Sequence, residues 1–384
     1  MTIQAFRGLN NVSDPLRLDM SWLVQADNVN ISDSGALSKR SGYSVSKTGD
    51  YSSAYSTLDY QRCYLVDGST LKSFDGAVLM TGLAIAPMYW TEVNSQVFFN
   101  NGTDSGVILA DNTVLPWSWP VPTTPVLAAV TGAQAPGLYQ VRFTYTLPDG
   151  RETGASAAAD IYLSEGQTLQ ISSIPLISGG FTNVYLTPAD STIFQRVFTS
   201  VGTTAYTWNG SNDDLGTDLV TNFLDPLPPG TDVIQHWMGR IYAAQYFSSD
   251  DQSAVWFTKA LGYHLFNYNS GFFLLPGRVL MLAPHAEGLV VGTDRKIYLY
   301  TPEKLTELAD YGVVPGRHWA EDDKRLVFWT VRGLCAALPF TNLTERQVSV
   351  APGVQAGGTI VRDGGQIRYV VALQQGGSAF NSYI

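Results

Sequence analysis

A short apolar strand, a tight polar turn and a second strand recur along this chain at roughly forty-residue spacing, the period of propeller blades. The clearest copies are residues 63–74, turning at Asp67-Gly68, and residues 289–300, turning after Gly292. Residues 97–102, which end in Asn101-Gly102, residues 326–334 and residues 359–370, which turn at Gly364-Gly365, repeat the pattern. Asp-Gly, Asn-Gly and Gly-Gly between alternating strands tolerate the positive φ that a tight hairpin requires. Each copy reads as the inner pair of strands of a four-stranded blade. One blade cannot bury its own faces, and stacking blades in a ring solves that while leaving only short edges exposed. The length outside the segments described next leaves room for about six blades, within a range of five to seven.

The residue content agrees with an all-β chain. Of 384 residues 45% are hydrophobic and 12% aromatic, with 20 Tyr and 9 Trp, whereas only 15% are charged; aromatic and β-branched side chains favour strands. One window, residues 301–311, has helix-forming composition, with Pro302, Glu303 and Lys304 suited to a first turn. It is expected to form one or two helical turns. Cys63 and Cys335 are too few for a disulfide framework and sit in apolar contexts, so both are read as buried reduced thiols. Residues 1–11 lack the apolar core of a signal peptide, and the richest apolar run, residues 272–284, is broken by Pro276-Gly277-Arg278. No membrane anchor is expected.

Two proline-rich stretches divide the chain: Pro116-Trp117-Ser118-Trp119-Pro120-Val121-Pro122, and Pro226-Leu227-Pro228-Pro229-Gly230. Between them residues 137–145 alternate strictly, the turn Pro148-Asp149-Gly150 follows, and further short strands come at 168–171, 183–187 and 194–198. Such spacing reads as an antiparallel β-sandwich of immunoglobulin or fibronectin type. The expected layout is an N-terminal arm with the first strand or strands (1–50), early blades (51–120), an inserted sandwich (121–228), then the remaining blades and ring closure (229–384). Trp117 and Trp119 are read as packing the sandwich on the ring, with a sugar- or partner-binding pair as the alternative.

The arm is turn-rich and polar: Phe6-Arg7-Gly8-Leu9-Asn10-Asn11, Asp14-Pro15, Asn28, then Gly35-Ala36-Leu37-Ser38-Lys39-Arg40. By itself this is compatible with an irregular N-terminus tied onto the first strands. The pattern resembles that of the nozzle, or stabilisation, proteins of bacteriophage tails, the tail tubular protein B-like family, whose arm has the form GG(I/L)…Asn…GLxKRPG. Ser41 stands here where that family usually has Pro. Residues 237–244 with Trp256, and Ile297 onward through Phe328-Trp329 and Gly333-Leu334, also resemble the family's blade openings. The resemblance implies a propeller with inserted sandwiches, assembled as a ring of six copies in the virion, that extends the DNA channel, retains the packaged genome and conducts it on ejection. It further implies partners in the tail adaptor or portal-proximal proteins and in fibre or spike proteins, with DNA only passing through, and synthesis in the host cytoplasm. Phe6, Arg7, Gly8, Leu9, Asn10, Asn11, Asn28, Gly35, Lys39 and Arg40 would form an assembly arm. Long members of the family carry more inserted domains than this chain.

A net charge of −10 argues against a protein that grips nucleic acid, since phosphate binding needs clustered Lys and Arg, and it suits a conduit that repels DNA weakly. No catalytic signature stands out. His236, His264, His285 and His318 are scattered and are read as surface or strand-end residues, not as metal ligands. Residues 209–218 are oxygen-rich but lack the order and distal Glu of a calcium loop. Glu92, Glu152, Asp294 and Glu321 are the carboxylates a propeller hydrolase would draw on, without any local motif. No cofactor, metal or enzymatic activity is expected. A propeller that binds a host receptor or glycan is the alternative function.

Overall fold

The computed structural model describes residues 5–40, 42, 44–323, 325–363, 366–376 and 380–383. Six antiparallel sheets follow one another as blades. Blade 1 runs Tyr51–Ser56, Cys63–Asp67, Thr70–Ser73 and Val78–Thr81, and blade 2 runs Tyr89–Val93, Gln96–Asn100, Ser105–Ile108 and Val114–Pro116. Blade 3 begins Thr231–Trp237, Arg240–Phe247 and Gln252–Lys259, the last of which pairs with both Gly262–Phe266 and Phe272–Pro276. Blade 4 is Val279–His285, Gly288–Thr293, Ile297–Thr301 and Lys304–Ala309, and blade 5 is Trp319–Asp322, Arg325–Thr330, Gly333–Ala336 and Thr341–Asn342. Blade 6 shows three strands among the described residues, Gln355–Asp363, Gln366–Gln374 and Phe380–Tyr383. The first strand of every blade lines one central channel, so the sheets close into a propeller.

The hairpins legible in the sequence are placed differently from the expectation. In blades 1, 2, 4 and 5 they are the second and third strands, not the inner pair; only residues 359–370 belong to a first and second strand. The reason is burial. Middle strands are covered on both faces and read as apolar runs, as in Cys63–Asp67 with Tyr64, Leu65 and Val66 buried, whereas the channel strand Tyr51–Ser56 is half polar. Residues 301–311 form no helix. Thr301 ends one strand, Pro302 and Glu303 make the turn, and Lys304–Ala309 returns antiparallel, with the Thr301 hydroxyl bonded to the Lys304 backbone. The helical elements among the described residues are two single 3₁₀ turns, Pro15–Arg17 and Asn212–Asp214.

Apolar clusters fill the spaces between neighbouring blades. Blades 1 and 2 share Tyr64, Leu71, Trp90, Val97 and Phe99; blades 4 and 5 share Met281, Val290, Leu326, Phe328 and the buried Cys335. Cys63 is half-buried, and both cysteines are free thiols.

The insert is a sandwich of a three-stranded and a four-stranded sheet over a core that includes Tyr139, Val141, Phe143, Leu169 and Trp208. Trp117, in the linker that leads into the insert, is fixed in the propeller. Its ring is fully buried, lies edge-on to Phe98 at 5.5 Å and Phe266 at 6.2 Å, and its Nε1 donates to the Tyr263 carbonyl at 2.7 Å. The indole thus packs between blades 2 and 3 and not against the sandwich as expected, and such a side chain is worth about 3–5 kcal/mol against truncation. From the sandwich side, Arg151 donates to the carbonyls of Trp117 and Pro116, and the His264 ring meets the Glu152 carbonyl at 2.9 Å. Gly154 passes so close to blade 3's approach segment that a Cβ there would lie 1.7 Å from the Leu224 carbonyl oxygen.

Candidate functional site

Two regions are built for contact. The first is the arm, whose backbone folds into two small ladders: Gly8–Leu9 pairs in parallel with Trp22–Leu23, and Val29–Ile31 pairs antiparallel with Leu37–Lys39. Phe6 donates to the Gly35 carbonyl, Arg7 to Ser21, and Arg40 to Asn28, which holds a φ of 57°. Gly35 is required by this close approach, because a Cβ there would meet Phe6 backbone atoms at 2.8 Å and its φ is +78°. Asn11 ties the arm to its own propeller: its backbone donates to Gln347, and its side chain exchanges bonds with Ser349 at 2.9 and 2.7 Å. Asn11 is therefore engaged within the chain. Asn10 and Gly35 are buried, while Leu16 (94%), Met20 (60%) and Val12 (49%) are widely exposed and Lys39 is also exposed.

The second region is the wide end of the central channel, where the first strands finish and turn into the second. The turns at Asn94-Ser95 and Met238-Gly239 have positive φ at both positions, the geometry that matches hairpin twist. Below them a narrow channel of about 240 Å³ opens into a funnel of about 870 Å³. All six blades contribute to the funnel wall. Leu58, Tyr60 and Met238 stand on its rim with exposures of 80%, 85% and 69%.

Charged groups converge inside. Glu92 accepts from the Leu58 backbone N–H at 2.8 Å and hydrogen-bonds Tyr55. Burial, reinforced by that carboxylate, raises the Tyr55 hydroxyl well above the usual phenol range, so it stays a donor at neutral pH. Tyr55 in turn stacks on Trp90 at 5.7 Å, and the Trp90 Nε1 donates to Ser53. Glu321 lies 4.0 Å from the His285 Nε2. The His236 Nε2 is buried and finds no hydrogen-bond partner among the described residues, and desolvation lowers its pKa, which leaves the ring neutral.

Arg317 sits where channel and funnel meet, lining both. Its guanidinium rests 4.3 Å over the Trp319 ring. No carboxylate pairs with it among the described residues, whereas the neighbouring Arg362 is bound to Asp322. Channel water reaches the Arg317 side chain, yet protein surrounds it closely enough that desolvation lowers its pKa, with Tyr55 opposing.

Of the carboxylates singled out in the sequence, the fold brings Glu92 and Glu321 to this funnel. Glu152 lies in the sandwich, accepting from Thr144, Asn183 and Tyr185, and Asp294 holds the Arg278 backbone N–H in a blade 4 turn. Of the four histidines expected at the surface or at strand ends, His318 is buried, His285 is buried as the last residue of its strand, and His236 and His264 are half-buried. His318 donates through Nε2 to the Val314 carbonyl at 2.8 Å and accepts at Nδ1 from Trp329 at 3.2 Å, so a second proton has no place to point. In residues 209–218, Asp214 caps its own 3₁₀ turn through Ser211. No three metal-ligating side chains come together among the described residues. Tyr55, His236, Arg317 and Trp319 were not visible as site residues, because their convergence is produced by strands as far apart in the sequence as those of Tyr55 and Trp319.

No protein-family model and no curated protein matches the chain. Among solved structures it is similar to the extracellular domain of BT4673 from B. thetaiotaomicron (TM-score 0.32, 10% identity, covering 86% of this chain). The chain spans only 38% of that domain's length. It is also similar to AztD from Citrobacter koseri (TM-score 0.29, 12% identity, 77% of this chain and 86% of that one) and to a Bacteroides uniformis protein provisionally named a 6-phosphogluconolactonase (0.33, 12%, 87% and 92%). At these scores the likenesses carry no function. No helix among the described residues is long and apolar enough to cross a membrane.

Proposed function

We propose that this chain is a structural protein of a phage tail nozzle, working as a ring of copies, six by the family resemblance, around a DNA conduit. The observation that carries the reading is the arm. Some forty residues with a family-like pattern fold against themselves, bury almost none of their side chains, and display Leu16 and Met20 beside Arg17. A segment that gains so little from its own chain is suited to a neighbouring subunit or to an adaptor protein, and head-to-tail contacts that close by rotation generate rings. The acidic surface fits passage of DNA without retention, and tail fibre or spike proteins would attach from outside. The propeller would act as scaffold and perform no catalysis.

Deleting the residues before Gly35 tests this. The truncated chain is expected to remain a folded monomer by circular dichroism, losing only the Asn11 tether, while light scattering and negative-stain images of the full chain show rings that the truncated chain does not form. A full-length chain that stays monomeric at high concentration, or truncated protein that still forms rings, would overturn the reading.

A further inference from the structure

We infer that the funnel is a binding site for a sugar-sized, polyhydroxylated ligand bearing a carboxylate, with Arg317 at its base as the carboxylate receptor. This inference stands independently of ring assembly. The funnel volume, about 870 Å³, falls within the roughly 300–1,000 Å³ of small-molecule sites, and its contents divide by chemistry from floor to rim. At the floor, Arg317 has its flat face covered by Trp319. Stacking of this kind occupies the guanidinium's π-face and leaves its in-plane N–H fork open, the geometry that meets a carboxylate with two parallel bonds. No protein acceptor fills that fork among the described residues, whereas Glu92, Trp90 and Arg362 in the same walls have protein partners. The Arg317 side chain is open to the channel, so a ligand entering the funnel can reach a guanidinium that no protein carboxylate has claimed among the described residues, and a ligand carboxylate would complete the pair.

Midway up, Glu92 and Glu321 are acceptors, and an anionic ligand entering between them must bring donors. Hydroxyl groups do so; a bare carboxylate such as acetate does not. The neutral His236, with its unpartnered Nε2, adds one more polar contact on the same wall. At the rim, Tyr60 offers an exposed aromatic face, the surface on which the C–H face of a pyranose packs. Carboxylate below, hydroxyls in the middle and an apolar ring face above describe a uronic-acid type sugar, either free or as the end of an acidic polysaccharide chain.

Isothermal titration of the full chain with D-glucuronate, D-glucose, acetate and a hyaluronan tetrasaccharide ending in glucuronate tests the site. Saturable binding of glucuronate is expected, with glucose and acetate each about tenfold weaker or more, the worth of one charged hydrogen-bond pair. Arg317→Gln should weaken glucuronate by about the same factor. Tyr60→Ala, at a rim position whose loss cannot unfold the ring, should weaken it by about threefold and keeps the test valid if the Arg317 variant misfolds. A tetrasaccharide that binds more tightly than the monosaccharide identifies the chain end as the natural source; equal or weaker binding identifies the free acid. Absence of glucuronate binding, equal affinity for glucose, equal affinity for acetate, or full affinity in both variants overturns the proposal.

Discussion

Acid should loosen this propeller through one buried ring. His318 is fully enclosed at the entry to blade 5, and its two nitrogens are committed as one donor and one acceptor, to Val314 and from Trp329. Burial holds its pKa down at about 4, against an ordinary 6.5. The unfolded chain therefore takes up a proton near pH 6.5 that the folded chain refuses until about pH 4. The contribution is fully present above pH 6.5, declines as pH falls, and is exhausted below about 4. Over that window of roughly 2.5 pH units, at about 1.4 kcal/mol per unit, the loss comes to about 3 kcal/mol. Urea denaturation followed by tryptophan fluorescence between pH 7 and 4.5, on the natural protein and on His318→Gln, isolates the effect, since every other titrating group is shared. The variant should be less stable at pH 7 by about 1–2 kcal/mol for its poorer hydrogen bonds, and that deficit should close or reverse by pH 4.5. Parallel stability curves for the two proteins would refute a neutral, proton-excluding His318.

Two further outcomes concern the junction between sandwich and ring. Gly154→Ala would drive a Cβ into the Leu224 carbonyl and should cost about 3 kcal/mol or more, read as a drop in thermal midpoint; an unchanged midpoint would mean the two backbones are not in contact. Arg151→Ala removes two bonds to the linker carbonyls, about 1–2 kcal/mol, and should speed proteolysis between residues 116 and 122 while leaving the ring intact; unaltered cleavage would show that the linker is held by Trp117 alone.

The ring was legible because its loudest signals are local. Gly68, with its positive φ, opens the two-residue turn that joins Asp67 to Thr70, and doubly buried strands such as Gly288–Thr293 carry an apolar run in Leu289, Val290 and Val291. Proline punctuation likewise announced the inserted sandwich, whose strands run from Val126 to Trp208. What misled was the assumption that the most apolar pair lies innermost; in blade 1 the channel strand Tyr51–Ser56 is the quieter one, with every second residue exposed. The turn at Pro302-Glu303 looked helical because its residues also suit a helix start, and pairing with Ile297–Thr301 decided otherwise. The funnel could not be read at all. Arg317, Glu92 and Tyr55 share no spacing, and only ring closure makes them neighbours.

Asn11 holds a further consequence. Among the described residues blade 1 is built from residues 51–81 and blade 6 from residues 355–383, and no strand or connecting segment joins the two across the seam between them. The bonds from Asn11 to Gln347 and Ser349 reach past that seam like a clasp. Anything that tugs on the arm would therefore be felt at the joint of the circle that the chain itself does not cross.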